Sequence, residues 1–191
     1  MKYYYRILDC RHGKFIFNDN DTFVGKSLKE YGEYSEGEIH LLTQICKKGD
    51  NIIEVGSNIG AHTVPLAKLI SNSGILLSFE PQKIVFQMLC KNLEFNNIKN
   101  VETIQKAVSD KKYETYLTSK PNNIGAARIV DTQNNKEDEK IVTTTLDELL
   151  YERLSKKNNR LKLIKCDAEG SEKNILKGAS KLIKKFKPFL Y

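Results

Sequence analysis

The stretch "NIIEVGSNIGAHT", residues 51–63, joins a short apolar run to two glycines four positions apart, with Glu54 near the end of the run. The apolar run predicts a buried β-strand, and the periodic segment "AHTVPLAKLI" behind it predicts a helix. Gly56 and Gly60 have no Cβ, so the chain can turn sharply there and a ligand can lie close to the backbone. We therefore expect a ligand where this strand turns into the helix.

The chain after residue 51 repeats this order of strand and helix. The segments "GILLSFE" and "QKIVFQMLCKNLEF" predict the next strand and helix, "VETIQKAV" predicts a third strand, and "LKLIKCD" predicts a fourth. A helix from about Ser171 to Phe186 follows, with Ser171 placed to cap its start. Strands that alternate with helices predict an α/β fold, in which a mostly parallel, twisted sheet carries helices on both faces.

Three segments add to this core. Residues 1–17 predict a β-hairpin around an "RHG" turn, and residues 28–46 predict a helix. Residues 113–145 contain β segments that form an insertion before the fourth core strand. Such an insertion lies over one end of the sheet, where substrates are commonly selected.

The final "KPFLY" predicts a fifth core strand whose apolar residues leave an open sheet edge, which proteins normally cover. The chain is therefore expected to be a truncated portion of a longer enzyme that lacks the final strands, or to cover that edge with its N-terminal hairpin or with a second subunit of a homo-oligomer. We expect a single domain over residues 1–191, with the hairpin and helix in 1–50 and the core in 51–191.

Composition narrows the class of protein. The chain has 191 residues, 40% of them hydrophobic, which suits one globular domain. Its net charge is +7, but residues 151–191 hold 12 Lys/Arg against 4 Asp/Glu, so the basicity belongs to the last fifth, where solvated helix faces are the commoner cause. A nucleic-acid partner is not favoured, because neither aromatic interleaving nor a known motif accompanies the charge.

Targeting signals are not evident in the sequence. No apolar run approaches the ~20 residues that span a bilayer, and the start of the chain has charges where a signal peptide needs an apolar region. The four cysteines are far apart and form no C-x-x-C pair, so neither a zinc site nor a disulfide framework is predicted. We expect a cytoplasmic protein with reduced thiols and no membrane span.

Two acids lie at the ends of two neighbouring predicted strands, Glu54 in "NIIEV" and Glu80 in "LLSFEP". The loop lacks the middle glycine of the G-x-G-x-x-G dinucleotide pattern, and Glu54 would repel a pyrophosphate but suits an ammonium or sulfonium group. A carboxylate at the end of the second strand is placed to accept hydrogen bonds from the two hydroxyls of a ribose. Together the two acids predict a ribose-containing ligand with a positive charge.

A further pair of acids, Asp167 and Glu169, lies in "LIKCDAEGSE" at the end of the fourth strand. In an extended segment, residues two apart point the same way, so both carboxylates could face the ligand. Such a pair could share a proton, bind a cation or orient a nucleophile. Alternatively, Glu169 stabilises the start of the next helix while Asp167 alone faces the ligand. No third acidic ligand is evident, and no metal site is predicted.

These residues resemble those of the class I S-adenosylmethionine-dependent methyltransferases, and most closely the FkbM-type family. The matching pieces are "IIEVGSNIGAHTVPLA", "FEPQ", "NLEFNNIKNV", "TTLDEL" and "IKCDAEGSEKNILKGA". The resemblance implies a Rossmann-like fold, S-adenosylmethionine as cofactor, and methyl transfer to an oxygen of a sugar, lipid or secondary-metabolite acceptor.

The resemblance also implies which residues bind the cofactor. Its first loop, which holds the methionine part, corresponds to five positions around the strand-to-helix turn: Glu54, Gly56, Ser57, Asn58 and Gly60. Glu80, followed by Pro81, matches the ribose-binding acid, and Ala107 with Val108 corresponds to the end of the third strand near the adenine. Asp167, Glu169 and Gly170 match the D-x-E-G element at the fourth strand, with Asp167 also beside the cofactor.

Methyl transfer from a sulfonium is an in-line displacement, so the protein mainly has to align the acceptor, the methyl carbon and the sulfur. A hydroxyl acceptor gains from a group that takes its proton. Asp167 is the first candidate for this general base, Glu169 the second and His62 the third, although a lone histidine at a helix start is more often structural.

Several functions stay open at this stage. A methyltransferase that acts on an exocyclic base nitrogen would carry an Asn/Asp-Pro-Pro-aromatic tetrapeptide where this chain has Cys166-Asp167-Ala168-Glu169. A nucleic-acid or protein acceptor stays possible, as does a non-catalytic or degenerate domain that only binds S-adenosylmethionine. A small-molecule or glycan acceptor would be selected by the insertion and by residues 28–36, and candidate contacts are Tyr31, Tyr34, Asn122 and Asn123.

Overall fold

The computed structural model describes residues 4–120, 123–156 and 160–191. The strands are β1 Tyr5–Cys10, β2 Gly13–Asn18, β3 Asn51–Val55, β4 Leu76–Phe79, β5 Val101–Ile104, β6 Ala107–Val108, β7 Glu114–Lys120, β8 Asn123–Val130, β9 Glu139–Thr144, β10 Leu161–Cys166 and β11 Phe189–Leu190. The helices are α1 Val24–Tyr31, α2 Glu36–Ile45, α3 Thr63–Ile70, α4 Lys83–Phe95, α5 Leu146–Lys156, α6 Glu172–Lys177 and α7 Ser180–Phe186, and a short 3₁₀ turn occupies Ser71–Ser73.

The core is a five-stranded parallel sheet in the order β11-β10-β3-β4-β5. Alternate residues of its central strands point to opposite faces, as the period of two in a strand requires. Ile52, Leu76 and Leu163 pack with residues of α2 and α3. Their chain neighbours, such as Ile53 and Leu77, pack with α5, α6 and α7 on the other face. The predicted α/β fold with helices on both faces is confirmed.

The N-terminal hairpin is present as β1 and β2, paired from Tyr5↔Asn18 to Cys10↔Gly13. It packs against α4, where the Asn92 side-chain amide accepts a hydrogen bond from Ile16 N at 2.6 Å and donates to Ile16 O at 3.1 Å. The helix predicted for residues 28–46 is wrong as one element, because α1 ends at Tyr31 and its C-cap, Gly32, adopts the left-handed conformation (φ 69°) before α2 begins.

Two further elements differ from the sequence-based prediction. The single strand expected in "VETIQKAV" is divided, because a tight turn brings Lys106 N to 2.9 Å from Ile104 O and directs β6 into another sheet, beside β9. The helix expected from Ser171 to Phe186 is divided at Gly178, where a Cβ would lie 2.1 Å from the backbone oxygen of Ser109. The first break follows from a local turn, and the second coincides with the close packing of Gly178 against Ser109.

The insertion forms a small sheet in the order β6-β9-β7-β8, with antiparallel pairing between β7 and both of its neighbours. This confirms the β character predicted for residues 113–145, although Asn122 lies outside the described residues. The sheet reaches the carboxyl ends of the core strands, since the Gln82 side-chain amide donates to Ser119 Oγ at 3.1 Å.

The predicted fifth strand is β11, which pairs with β10 at the edge of the core sheet. Its residues stay open to solvent: Phe189 is 53% and Leu190 is 48% exposed. The expectation that the N-terminal hairpin covers this edge is wrong, because the hairpin is bonded to α4 instead. Among the described residues, no helix is long and apolar enough to cross a membrane.

Candidate functional site

The turn after β3 is hydrogen-bonded to β4 and to the residue that follows β10. The N–H groups of Gly56 and Ser57 each donate to Phe79 O at 3.0 Å, and Asp167 N donates to Val55 O at 2.9 Å. Gly56 adopts φ 83°, and a Cβ on it would lie only 1.8 Å from Asp167 O. Gly56 is therefore required by the close approach of the backbone that follows β10.

Gly60 and Ser57, which are also predicted to bind the cofactor, have different surroundings. Gly60, at φ 88°, is next to α4, because its Cβ would lie 2.8 Å from Leu89 Cδ1, and it does not line the cavity described below. Ser57 accepts a hydrogen bond from Ser78 Oγ at 2.7 Å and donates to Glu54 O at 3.3 Å. The side chain of Ser57 thus holds the loop in shape.

Glu80 is buried at the end of β4 and accepts two backbone hydrogen bonds, from Asn58 N and Gln82 N, both at 3.0 Å. Burial raises its pKa to about 7, against the opposing effect of those two hydrogen bonds. Asn58 is held at φ 51° with its own Oδ1 accepting from Ile59 N at 2.7 Å. The carboxylate of Glu80 is therefore fixed in orientation.

Glu54 is completely buried on β3. Its Oε2 accepts a hydrogen bond from Thr63 Oγ1 at 2.6 Å, whereas its Oε1 has no hydrogen-bond partner among the described residues. Burial raises the pKa of this carboxyl, and the nearby Lys165 and the Thr63 hydroxyl lower it in part. The site thus contains a buried acid with one oxygen left to accept a hydrogen bond.

Lys165 is a cation that our sequence analysis did not identify as part of the site. It is 1% exposed in β10, in register with Glu54, and its Nζ lies 3.7 Å from both Glu54 Oε1 and Asp167 Oδ2. A signal was present in "LKLIKCD", because a lysine inside an otherwise buried strand is rare unless it is paired with an acid.

The chain leaves the extended conformation directly after Asp167. Glu169 has φ 49°, which is not an extended conformation. The expectation that the side chains of Asp167 and Glu169 point the same way along one strand is therefore wrong. Both nevertheless line the same cavity. The Asp167 side chain is 62% exposed, and Glu169 Oε2 lies 3.5 Å from Arg128 Nη2 of the insertion.

The start of α6 is stabilised by an acid other than the two predicted. Glu172 Oε1 accepts hydrogen bonds from Ala168 N and Gly170 N, both at 3.1 Å. Ser171 makes no side-chain capping hydrogen bond, so its predicted capping role is wrong. Because Glu172 bonds these N–H groups, Glu169 is free to pair with Arg128.

His62 is buried at the start of α3, and burial lowers its pKa to about 3. Its ring lies 5.5 Å from the ring of Tyr34, and its Nε2 lies 3.6 Å from Glu38 Oε2 without a hydrogen bond. The imidazole is therefore neutral at pH 7 and accepts a proton poorly.

A single cavity of about 1440 Å³ connects these side chains. Every cofactor-binding and catalytic residue predicted from the sequence lines it, apart from Gly60: Glu54, Gly56, Ser57, Asn58, His62, Glu80, Pro81, Ala107, Val108, Asp167 and Glu169. Ala107 and Val108 do so from β6, not from the third core strand as expected. The insertion adds lining residues that the sequence did not identify, including Leu117, Arg128 and Ile129.

Across the described part of the chain, no group of three or more His, Cys, Asp or Glu is placed to hold a metal ion. Three carboxylates nevertheless line the cavity at neighbouring strand ends. Glu80, Glu54 and Asp167 stand at the carboxyl ends of β4, β3 and β10, which are adjacent in the sheet. Ligands of open parallel sheets bind at this edge.

Comparison with known proteins identifies the family. The family model described as "Methyltransferase FkbM domain" matches residues 54–191, more than half of the chain. The chain belongs to the FkbM methyltransferase domain family. This membership confirms the resemblance derived from the sequence.

Several solved structures are similar to parts of this FkbM methyltransferase domain. M. jannaschii TYW2 in complex with AdoMet is 20% identical with a TM-score of 0.41, covering 55% of this chain and 44% of that one. A SAM-dependent methyltransferase from Aquifex aeolicus is 17% identical with a TM-score of 0.36, covering 45% and 43%. Trm5b from Pyrococcus abyssi is 13% identical with a TM-score of 0.42, covering 57% and 32%.

The matched region thus spans less than half the length of each of these structures. No curated protein matches the chain significantly.

Proposed function

We propose that this FkbM methyltransferase domain binds S-adenosylmethionine across the ends of β3, β4 and β10 and transfers its methyl group to a hydroxyl of a sugar, lipid or secondary metabolite. The observation that carries the proposal is the row of three acids, Glu80, Glu54 and Asp167, at adjacent strand ends of one cavity. A cofactor with two ribose hydroxyls, an ammonium and a sulfonium matches such a row in charge and in hydrogen bonding.

Glu80 would hold the ribose. It is fixed by two backbone N–H groups and lines the same cavity as Ala107, Val108 and Leu117, which would supply an apolar wall for the adenine. The turn at Gly56 and Ser57 would support the methionine part, with Glu54 beneath it. When it is bound, S-adenosylmethionine supplies an electrophilic methyl group, and the protein supplies alignment.

Asp167 is the proposed general base. Its carboxylate is 62% exposed, and its Oδ2 lies 3.7 Å from Lys165 Nζ. Glu169 is already paired with Arg128, and His62 is buried with a pKa lowered to about 3, so both are weaker candidates. Asp167 therefore combines access to the acceptor with a charge suited to taking its proton.

The acceptor would enter between the insertion and α1–α2. Tyr34 lines the cavity beside His62, and Phe23 and Arg128 also line it. Aromatic rings and charged groups on one cavity wall suit a hydroxylated acceptor with an apolar face. Nucleic-acid or protein acceptors, and a domain that binds the cofactor without turnover, are the outcomes that would replace this proposal.

The test is methyl transfer from S-[methyl-³H]adenosylmethionine to a panel of hydroxylated acceptors, with the product position assigned by NMR as an O-methyl group. We expect label in a sugar, lipid or polyketide-like alcohol, and a reduction of roughly 100-fold or more in kcat for Asp167→Asn with little change in cofactor affinity. Equal label in a protein or nucleic-acid fraction, or an active Asp167→Asn variant, would contradict the assignment.

A cytoplasmic location is also proposed for this domain. It is supported by the four cysteines, Cys10, Cys46, Cys90 and Cys166, all of which are free thiols in the structure. Cell fractionation with an epitope-tagged chain tests it, and recovery in an extracellular or envelope fraction would contradict it.

A further inference from the structure

Lys165 has hydrogen-bonding capacity that the described part of the chain does not use. The side chain is almost fully buried, and its Nζ donates no hydrogen bond to any described residue, since the nearest acid oxygens lie 3.7 Å away. An ammonium has three N–H donors, and buried polar groups are nearly always hydrogen-bonded. Lys165 therefore needs an acceptor that reaches it through the cavity, whose wall it forms in part.

Glu54 has an acceptor oxygen without a donor at the same place. Its Oε1 is buried without a hydrogen-bond partner among the described residues, and Glu54 also belongs to the cavity wall. Lys165 and Glu54 are paired in register on neighbouring parallel strands, so their side chains point to the same face of the sheet. A free donor group and a free acceptor oxygen thus converge on one part of the cavity.

The charges there favour a zwitterion with one additional positive charge. Glu54, Asp167 and Lys165 carry a net charge of −1 when all three are ionised, whereas a ligand with a carboxylate, an ammonium and a sulfonium carries +1. A lone anion would be repelled by the two carboxylates, and a lone cation would leave the Lys165 donors unpaired. A group that carries both charges satisfies both residues.

We propose that Lys165 and Glu54 form a receptor for the amino-acid end of S-adenosylmethionine, in which Lys165 binds the carboxylate and Glu54 binds the ammonium. This inference rests on the proposed function and deepens it, because the acid row alone accounts for the ammonium but provides no partner for the carboxylate. Lys165 is then a cofactor-binding residue that selects ligands by their carboxylate.

Isothermal titration tests the inference without any methyl acceptor. Wild-type protein, Lys165→Met and the control Lys177→Met are each titrated with S-adenosylmethionine and with decarboxylated S-adenosylmethionine, which differs only in lacking the carboxylate. Lys177 is exposed in α6 and does not line the cavity, so its loss removes one positive charge of the chain without removing the buried one.

The wild type and Lys177→Met are expected to bind S-adenosylmethionine roughly 10- to 100-fold more tightly than the decarboxylated compound. In Lys165→Met this preference should fall to about 1, because the loss is confined to the ligand that carries the carboxylate. Circular dichroism shows whether Lys165→Met is folded. If Lys165→Met does not fold, Lys165→Arg is titrated in its place. Lys165→Arg keeps the positive charge and should keep the wild-type preference.

Three results would overturn the inference. Equal binding of the two compounds by the wild type would show that the carboxylate is not recognised. Equal weakening of both compounds in folded Lys165→Met would show a structural role, and loss of the preference in Lys165→Arg would show that the cation is not what selects the ligand. Binding of neither compound by the wild type would instead refute the proposed function, and the inference with it.

Discussion

Glu80 is a residue whose charge state depends on pH near neutrality. Burial raises its pKa to about 7 from an ordinary value of 4.5, while Asn58 N and Gln82 N favour the anion. The folded protein without ligand therefore takes up a proton between about pH 4.5 and 7 that the unfolded chain does not hold, so this group's contribution to the free energy of unfolding falls as pH rises through that window.

Cofactor affinity should rise with pH, whereas the contribution of Glu80 to the free energy of unfolding falls. Two ribose hydroxyls need the anionic carboxylate as acceptor, so affinity for S-adenosylhomocysteine is expected to rise about tenfold from pH 6 to pH 8 and to level off above that. Titration calorimetry of the wild type and Glu80→Gln measures it, and the variant should bind weakly without this rise. A wild-type affinity that is flat with pH would contradict the role of Glu80.

Gly56 and Gly170 form a matched pair, since both have positive φ, 83° and 94°, and only Gly56 has a neighbour where a Cβ would go. Gly56→Ala places a methyl group against Asp167 O and should lower the free energy of unfolding by roughly 3–5 kcal/mol. Gly170→Ala carries only the backbone penalty, about 1 kcal/mol. Urea unfolding measures both, and equal losses would contradict the close approach of the two strand ends.

At the scale of elements, the motif "TTLDEL" has a structural explanation. Asp147, in the first turn of α5, caps α7: its Oδ2 accepts from Lys181 N at 2.8 Å and its Oδ1 from Leu182 N at 2.9 Å. The neighbouring leucines, Leu146 and Leu150, are buried in the core cluster under the sheet. The motif therefore joins α5 to α7 and has no direct role in the cavity.

Asp147→Ala should lower the free energy of unfolding by about 1–2 kcal/mol, because it leaves N–H groups at the start of α7 without an acceptor. Asp131→Ala is the control, since Asp131 is exposed in the loop before β9. Thermal melts of the two variants compare them. A larger loss for Asp131→Ala, or cofactor binding abolished in a folded Asp147→Ala, would assign Asp147 a different role.

An element can be predicted from the sequence when the residues that determine it are close together along the chain. The strands and helices of the core follow from apolar periodicity, and the acids Glu54, Glu80 and Asp167 follow from their positions at strand ends. The close approach of Gly178 to Ser109, and the pairing of Ala107 and Val108 with β9 in a second sheet, depend on partners that are distant in sequence. The end of α1 has a local signal instead, because Gly32 is a glycine C-cap in the left-handed conformation.

The same distinction applies within the site. The pairing of Glu169 with Arg128 could not be predicted, because the two residues are 41 positions apart and their contact depends on how the insertion folds over the sheet. Lys165 could have been identified, since a cation in a buried strand requires a partner and Glu54 lies on the neighbouring strand.

On the scale of the whole molecule, we propose that residues 1–191 act as one domain. The hairpin is bonded to α4 and the insertion contacts the cofactor region through Gln82 and Ser119, so both additions are tied to the core that they extend. A single cooperative transition by circular dichroism and by tyrosine fluorescence is expected, and two separate transitions would contradict it.

The open edge at β11 leads to a prediction about assembly. We propose that its exposed Phe189 and Leu190 pair with a second copy of the chain. Analytical ultracentrifugation tests pairing with a second copy, with Leu190→Lys as a variant that should reduce self-association. A chain that sediments as a well-behaved monomer at high concentration, with this edge uncovered, would contradict it.

The central claim is that one cavity at three strand ends binds S-adenosylmethionine. Titration calorimetry with S-adenosylmethionine and S-adenosylhomocysteine tests it most directly, using Glu80→Ala and the exposed-surface control Glu152→Ala. We predict one site per chain for both ligands, affinity weakened roughly tenfold or more in Glu80→Ala, and no change in Glu152→Ala. No heat with either ligand at protein concentrations of about tens of micromolar would contradict the claim.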